Sequence, residues 1–190
     1  MNRIIKAAEQ LFGKRGYHNT SMNEIATRAK VAPGTIYIYF DDKYSLYCHL
    51  LTQYGHFIRK QIAKATQDCQ TRYDMEREGL LAFLQLVRKQ PHMYNIIWES
   101  LYINPELFVT YYEDFAQRYR QQLGRAEGEI TQMDNTVLAY VLMGIANFVG
   151  LKYVFFDKDA DLEYVVDEVM KIYTQGILNP SALTAGPPKP

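Results

Sequence analysis

The sequence predicts an all-α protein of about nine helices, and three observations carry that prediction. Apolar residues recur at helical spacing in nearly every segment of the 190 residues. Ser, Asp and Asn sit where helices would start, and Gly or Pro where they would stop. Only residues 35–40 and 153–156 read as strand, and two isolated short strands make at best a marginal ribbon. With 48% apolar residues the chain can bury a sizeable core.

In residues 3–15, Ile4, Ile5, Ala8, Leu11 and Phe12 line one helical face and Gly16 supplies the stop. Ser21 and Glu24 have capping-box spacing, so a second helix starts there and runs to residue 29 with Met22, Ile25, Ala26 and Ala29 as its stripe. From residue 43 to about 67, Leu46, Tyr47, Leu50, Leu51, Tyr54, Phe57, Ile58 and Ile62 keep helical period through a long helix that can link two parts of the molecule. Residues 76–90 form the next helix, closed by Pro91, which also opens the segment reaching Tyr102. Asn104 followed by Pro105 launches an aromatic-rich helix ended by Gly124 and Gly128. Residues 134–156 and 161–177 complete the set, and the tail SALTAGPPKP has no core-forming pattern.

The stretch TIYIYF, residues 35–40, is ambiguous. Its residues favour strand, and strand alternation would bury Ile38 beside Ile36 and Phe40. With helices on both sides and no strand to pair with, it is expected to be a helix over residues 33–40 that opens on Pro33. At 100° per residue Ile36 and Phe40 point inward, while Gly34 and Ile38 face out. The exposure of Ile38 separates the two readings.

Charge is distributed unevenly although the chain is neutral overall. Residues 1–64 carry ten Lys or Arg against four acids, and the remainder carries eleven against seventeen. A basic head on an acidic body suits a polyanionic partner for the head alone. Cys48 and Cys69 lack metal-binding spacing and are expected to be reduced, packed thiols. Charges interrupt the N-terminal apolar stretch where a signal peptide would not allow them, so a cytoplasmic protein without membrane contact is expected. His18, His49, His56 and His92 show no metal spacing beyond a weak His49/His56 pair, and no nucleophile elbow or phosphate loop occurs. No catalysis, cofactor or metal site is expected. A helical adaptor that binds only protein, and less favourably a helical enzyme, are the alternatives.

The run SMNEIATRAKVAPGTIYIYFDDKYSLY resembles the DNA-binding signature of TetR/AcrR-family transcriptional regulators. The resemblance covers residues 3 to about 51 and implies a helix-turn-helix domain over residues 1–47. It further implies a helical ligand-binding and dimerisation domain over residues 48–178, and residues 179–190 read as a disordered tail. The family pattern departs here at two positions: Lys30 stands where glycine is common, and Ala32 where a capping Ser or Thr is common. Lys30 is therefore expected at positive φ, or as an added phosphate contact.

The resemblance implies that residues 33–40 enter the major groove and residues 21–29 support them. Ser21 and Asn23 would offer a helix N-terminus to phosphate, and Gly34 would let the main chain approach closely. Thr35, Tyr37 and Tyr39 would supply hydroxyls, Lys43 charge, and Pro33 and Ile38 apolar contacts to thymine methyls. No Arg or Lys lies on the recognition helix, so shape readout is expected alongside modest direct readout.

For the second half, the resemblance implies a homodimer through the last two long helices, with Gly144, Phe148, Leu151, Val165, Val169 and Ile172 as interface candidates. It also implies a small-molecule effector bound inside the domain. The aromatic and methionine-rich middle suits a hydrophobic or aromatic ligand, with Trp98, Glu99, Tyr102, Phe108, Tyr112, Phe115, Tyr140, Met143 and Asn147 as candidates, though such stripes are also core material. The composite expectation is a repressor that binds a near-palindromic double-stranded operator as a dimer and is released by its effector.

Overall fold

Helix α1 (Asn2–Arg15) buries Ile4, Ala7, Ala8, Leu11 and Phe12 and ends at Gly16. Helix α2 (Met22–Ala29) opens on the capping box: Ser21 Oγ accepts the Glu24 N–H at 3.2 Å, and Glu24 Oε2 accepts the Ser21 N–H at 2.8 Å. The chain is described here by a computed structural model that covers residues 1–126 and 128–177. The tail expected over residues 179–190 lies outside the described residues.

Lys30 ends α2 in the left-handed conformation, φ 55 and ψ 50, and is the non-glycine residue at positive φ among the described residues. Its N–H bonds back to the last carbonyls of α2, which is the geometry a glycine normally supplies. Helix α3 (Pro33–Tyr37) starts on Pro33 with no side-chain cap from Ala32. It is shorter than the helix expected over residues 33–40. Ile38 keeps helical dihedrals, and the N–H groups of Tyr39 and Phe40 both reach the Ile36 carbonyl, so the last residues form a closing turn. Its β-branched and aromatic side chains lose rotamer freedom in a helix, and Asp42 already begins the next one.

Helix α4 (Lys43–Thr66) is capped by Asp42 and Ser45 in a reciprocal pair and spans 24 residues, about 36 Å at 1.5 Å rise per residue. It runs without interruption through the expected boundary at residue 47. The first hydrophobic core likewise unites α1–α4 with Leu86, Met93, Ile96 and Ile97 from beyond that boundary.

Helix α5 (Arg72–Lys89) begins four residues earlier than expected, because Thr71 caps it by accepting the Asp74 N–H. Helices α6 (His92–Ile103) and α7 (Pro105–Gly124) follow, the latter capped by Asn104 with Pro105 in its first turn. Helix α8 (Asn135–Leu151) passes directly into a π-helical turn, Lys152–Phe156, and α9 (Leu162–Gln175) closes the described chain. The described residues thus form nine α-helices, as the periodicity required.

A second core joins Leu80, Leu81 and Leu84 of α5 to Leu162, Val165, Val166, Val169 and Met170 of α9. Val165 and Val169 are therefore core residues of their own chain, a correction to their assignment as partner contacts. Residues 135–156 are long and apolar enough to cross a membrane by length and composition, yet only 22% of that window is buried. Ala139, Leu142 and Gly150 form its buried side, packed within a helical bundle with α5 and α7 as neighbours.

Candidate nucleic-acid interface

The outer surface of the N-terminal helices follows from which side chains the first core claims. Ile36 is fully buried and Phe40 nearly so, anchoring α3 and its closing turn. Pro33, Gly34, Tyr37, Ile38 and Tyr39 face outward, and Ile38 is 75% exposed. Helical geometry thus sets the orientation of TIYIYF. Around Gly34 an added Cβ would meet nothing within 4 Å, so the main chain stands open to a large partner. Thr35 is half-buried beside it.

A shallow groove runs alongside α3, lined by His18, Asn19, Thr20, Ser21, Met22, Asn23, Glu24, Tyr37 and Lys43. Ser21, Asn23, Tyr37 and Lys43 were expected in such a surface. The loop residues His18, Asn19 and Thr20 were not, because a turn between helices carries no periodic signal. Glu24 complicates the anion-binding role of Ser21. Its carboxylate accepts both the Ser21 N–H and the Ser21 hydroxyl, at 2.8 Å each, and pairs with Arg15 at 2.8 Å. Those hydrogen bonds from Ser21, with Arg15 adding to them, hold the Glu24 carboxyl below the usual range. A phosphate at the start of α2 must displace or avoid that charge.

Lys43 was expected to present a free charge. Instead its ammonium donates to the carbonyls of Tyr17 at 2.8 Å and Thr20 at 2.9 Å, and lies 4.3 Å from the Tyr17 ring centroid. Two of its three donors are committed inward, so it first shapes the loop and has one N–H left for the groove.

Glu99 is the clearest departure. Expected in the effector site, it is engaged with the N-terminal half: both carboxylate oxygens accept the Tyr17 N–H, at 2.8 and 2.9 Å. On the same side of α6, His92 meets Glu9 at 2.8 Å and Asn95 donates to the Gly13 carbonyl at 3.1 Å. Gly13 and Gly16 permit this approach, since an added Cβ would lie 2.5 Å from His92 Cβ and 2.6 Å from Glu99 Oε1 respectively.

Residues 4–50 match the model of "Bacterial regulatory proteins, tetR family". Residues 4–50 are thus a TetR-family DNA-binding domain. Helices α2 and α3, which lie inside the matched segment, form its helix-turn-helix, a DNA-binding motif. Among relatives, the "HTH-type transcriptional activator FasR" of Mycolicibacterium smegmatis is 28% identical over 101 residues, 53% of this chain and 46% of that one. The chain spans about half the length of the first curated relatives it matches. Among solved structures, the fatty acid degradation regulator FadR from Bacillus halodurans superposes with a TM-score of 0.81 at 21% identity, covering 93% of this chain and 95% of that one. A FadR from Bacillus subtilis, in complex with stearoyl-CoA, gives 0.75 at 20% identity over 93% and 99% of the two chains. At these identities the likeness establishes a shared TetR-type fold.

In the C-terminal half of the chain, several effector candidates do converge. Trp98 stacks near Phe108 with centroids 6.0 Å apart, Phe108 lies 4.7 Å from Tyr112, and the Tyr112 hydroxyl donates to Asn147 Oδ1 at 3.2 Å. Asn147 in turn donates to the Met143 carbonyl and its own carbonyl accepts from Tyr94. Phe115 packs on Tyr111 and under Arg59, and the Tyr140 hydroxyl donates to Glu113 at 2.5 Å. Tyr102 stands apart at 82% exposure and lines no interior site, a second correction. Of the interface candidates, Gly144, Phe148, Leu151 and Ile172 retain open or half-open surface.

Proposed function

We propose that the chain is a ligand-responsive transcriptional repressor that binds a near-palindromic operator as a homodimer and is released by a long-chain acyl effector, most simply an acyl-CoA. The observation that carries this reading is the outward face of α3 and its closing turn, where Tyr37, Ile38 and Tyr39 stand exposed among the described residues. A monomer has no use for three such side chains side by side, whereas a major groove supplies phosphate oxygens and thymine methyls for them.

Dimerisation is supported by the uncovered side of α8, where Val137, Val141 and Phe148 are exposed, and by Tyr164 and Ile172 on α9. A two-fold dimer would set two recognition helices one turn of DNA apart, about 34–36 Å. The acyl effector is supported by the apolar, aromatic band around Trp98, Phe108 and Tyr112, and by the stearoyl-CoA bound to a protein of the same fold. Release is the expected sense of the response, because a ligand wedged against Trp98 works on the helix whose other side grips α1. Regulation of this kind is the business of a cytoplasmic protein.

An electrophoretic shift with the DNA flanking the chain's own gene, run with and without stearoyl-CoA, tests the reading. A retarded band that disappears with the acyl-CoA and persists with CoA alone is the expected result. Absence of any shift at low salt sinks the DNA-binding regulator, and a shift indifferent to acyl-CoA removes the effector.

A further inference from the structure

We propose that Glu99, a residue of the C-terminal half, is a positioning residue for DNA recognition: it holds Tyr17, and through Tyr17 the loop that flanks the recognition helix. The proposal rests on the DNA-binding reading above and adds to it a named contact between the two halves of the chain.

Tyr17 is gripped at both ends of its own main chain. Its N–H is taken by both oxygens of Glu99, at 2.8 and 2.9 Å, and its carbonyl accepts from Lys43 at 2.8 Å. Both bonds are charge-assisted, and the Gly16 carbonyl, which shares its amide with the Tyr17 N–H, accepts from the Thr20 hydroxyl and so polarises that N–H further toward Glu99. The ring is fixed as well, edge-on to Tyr47 at 5.1 Å and 5.8 Å from Phe12, with Lys43 over its face. One step further, Thr20 donates to the Gly16 carbonyl and its own carbonyl accepts from Lys43. Residues 16–20 are thus a tied loop, and His18, Asn19 and Thr20 line the groove beside Tyr37 together with Ser21, the cap of α2.

The tie is not needed to fold the N-terminal helices. Phe12, Ile25, Ile36 and Leu46, each almost fully buried, hold them in the apolar core that they share with Leu86, Met93, Ile96 and Ile97. Glu99 is half-buried, 82 residues away in sequence, and reaches the loop only where Gly16, at φ +80 and without a Cβ, leaves room for the carboxylate. Losing Glu99 therefore costs the loop its position more than it costs the domain its fold. An orphaned Tyr17 N–H can turn to water, carrying the groove wall away from the phosphates it would meet.

The experiment compares the full-length chain with Glu99→Ala and Glu99→Gln, using a duplex selected by the unaltered chain from a randomised library. Glu99→Ala should weaken binding by about tenfold, the scale of one charge-assisted hydrogen bond. The slope of log affinity against log salt should fall by about 1, one phosphate contact. Glu99→Gln keeps an acceptor for the Tyr17 N–H and should stay within about twofold of the parent, since a neutral acceptor retains part of the bond. Hydrogen exchange at the Tyr17 amide should accelerate in Glu99→Ala and much less in Glu99→Gln. A Glu99→Ala chain that exchanges faster at Tyr17 yet binds with unchanged affinity and salt slope overturns the proposal alone. Equal losses in both variants, matched by equal losses of thermal stability, overturn it in favour of a merely structural role. A parent chain that selects no duplex overturns the DNA-binding reading and the proposal with it.

Discussion

Ile36 is completely buried and Ile38, two residues later, is 75% exposed. Strand geometry would have put the two on one face, so their opposition is the signature of the helix that tertiary packing imposes on TIYIYF. Truncating them should separate stability from recognition. Ile36→Ala is expected to cost about 2–4 kcal/mol in urea denaturation, as a fully buried isoleucine does. Ile38→Ser should change stability by less than about 0.5 kcal/mol. It should weaken DNA binding, most strongly at A·T pairs, when affinity is measured by fluorescence anisotropy on base-substituted duplexes.

Lys30 carries a conformational load that its side chain does not need. At φ 55 it sits where a Cβ crowds the neighbouring carbonyl. Lys30→Gly should therefore raise stability by about 0.5–1 kcal/mol, less than the full left-handed penalty because glycine also gains freedom in the unfolded chain. Equilibrium urea denaturation reads this directly. The same variant tests the second role open to Lys30: an unchanged salt dependence of DNA binding would leave the residue with backbone geometry alone.

These two positions also mark where the sequence was legible. Periodicity and caps carried the helices, including the inward Ile36 and outward Ile38, because burial on a helix is a local property of spacing. The positive φ of Lys30 was legible as a departure from a motif. Long-range polar partnerships were not. Glu99 and Lys43 read as a pocket acid and a free charge, and both turned out to bind one residue, Tyr17, from opposite ends. Nothing in the spacing of residues 82 positions apart encodes a hydrogen bond. Val165 and Val169 were misplaced for a related reason: an apolar stripe reveals that a face is covered, not whether its own chain or a partner covers it.

Gly144 offers a clean test of the dimer. A Cβ there would meet nothing within 4 Å among the described residues, so Gly144→Glu should be tolerated within the chain and gain up to about 1 kcal/mol of helix propensity. The same carboxylate placed in the middle of the uncovered α8 face should prevent association. Sedimentation velocity at micromolar concentration is expected to show a dimer for the parent and a folded monomer for the variant. Val165→Glu, which drives a charge into the core against α5, should instead unfold the chain.

The contact between Glu9 and His92 predicts an acid sensitivity with a definite sign. The hydrogen bond from His92 holds the Glu9 carboxyl below its usual range, against the opposing effect of burial. A group whose folded value is depressed stabilises the fold above its unfolded value, and that contribution is lost as pH falls through the folded one. The α1–α6 contact should thus weaken from the ordinary carboxylate range downward. Glu9→Gln is expected to flatten the acid limb of a thermal-stability profile in that window while leaving its neutral-pH shape intact. Superimposable acid limbs would show that other carboxylates govern acid unfolding.

Trp98 makes the effector region open to a direct optical test, because it is the one tryptophan in the sequence. Its ring lies between Phe108 and Phe148, at 6.0 and 6.4 Å, and its buried indole N–H has no acceptor among the described residues. An unsatisfied buried donor costs about 1–3 kcal/mol, so a ligand that brings a carbonyl to this position gains more than its apolar contacts. An acyl thioester has such a carbonyl at the head of an apolar chain. Stearoyl-CoA should therefore shift the emission of Trp98 to the blue in a saturable manner, with no response to CoA alone. Trp98→Phe preserves most of the apolar surface but removes the donor, and should weaken stearoyl-CoA binding by about tenfold in calorimetry, the scale of one hydrogen bond. Equal affinities for the two chains would confine Trp98 to packing, and an emission spectrum indifferent to stearoyl-CoA would count against an acyl site at this position.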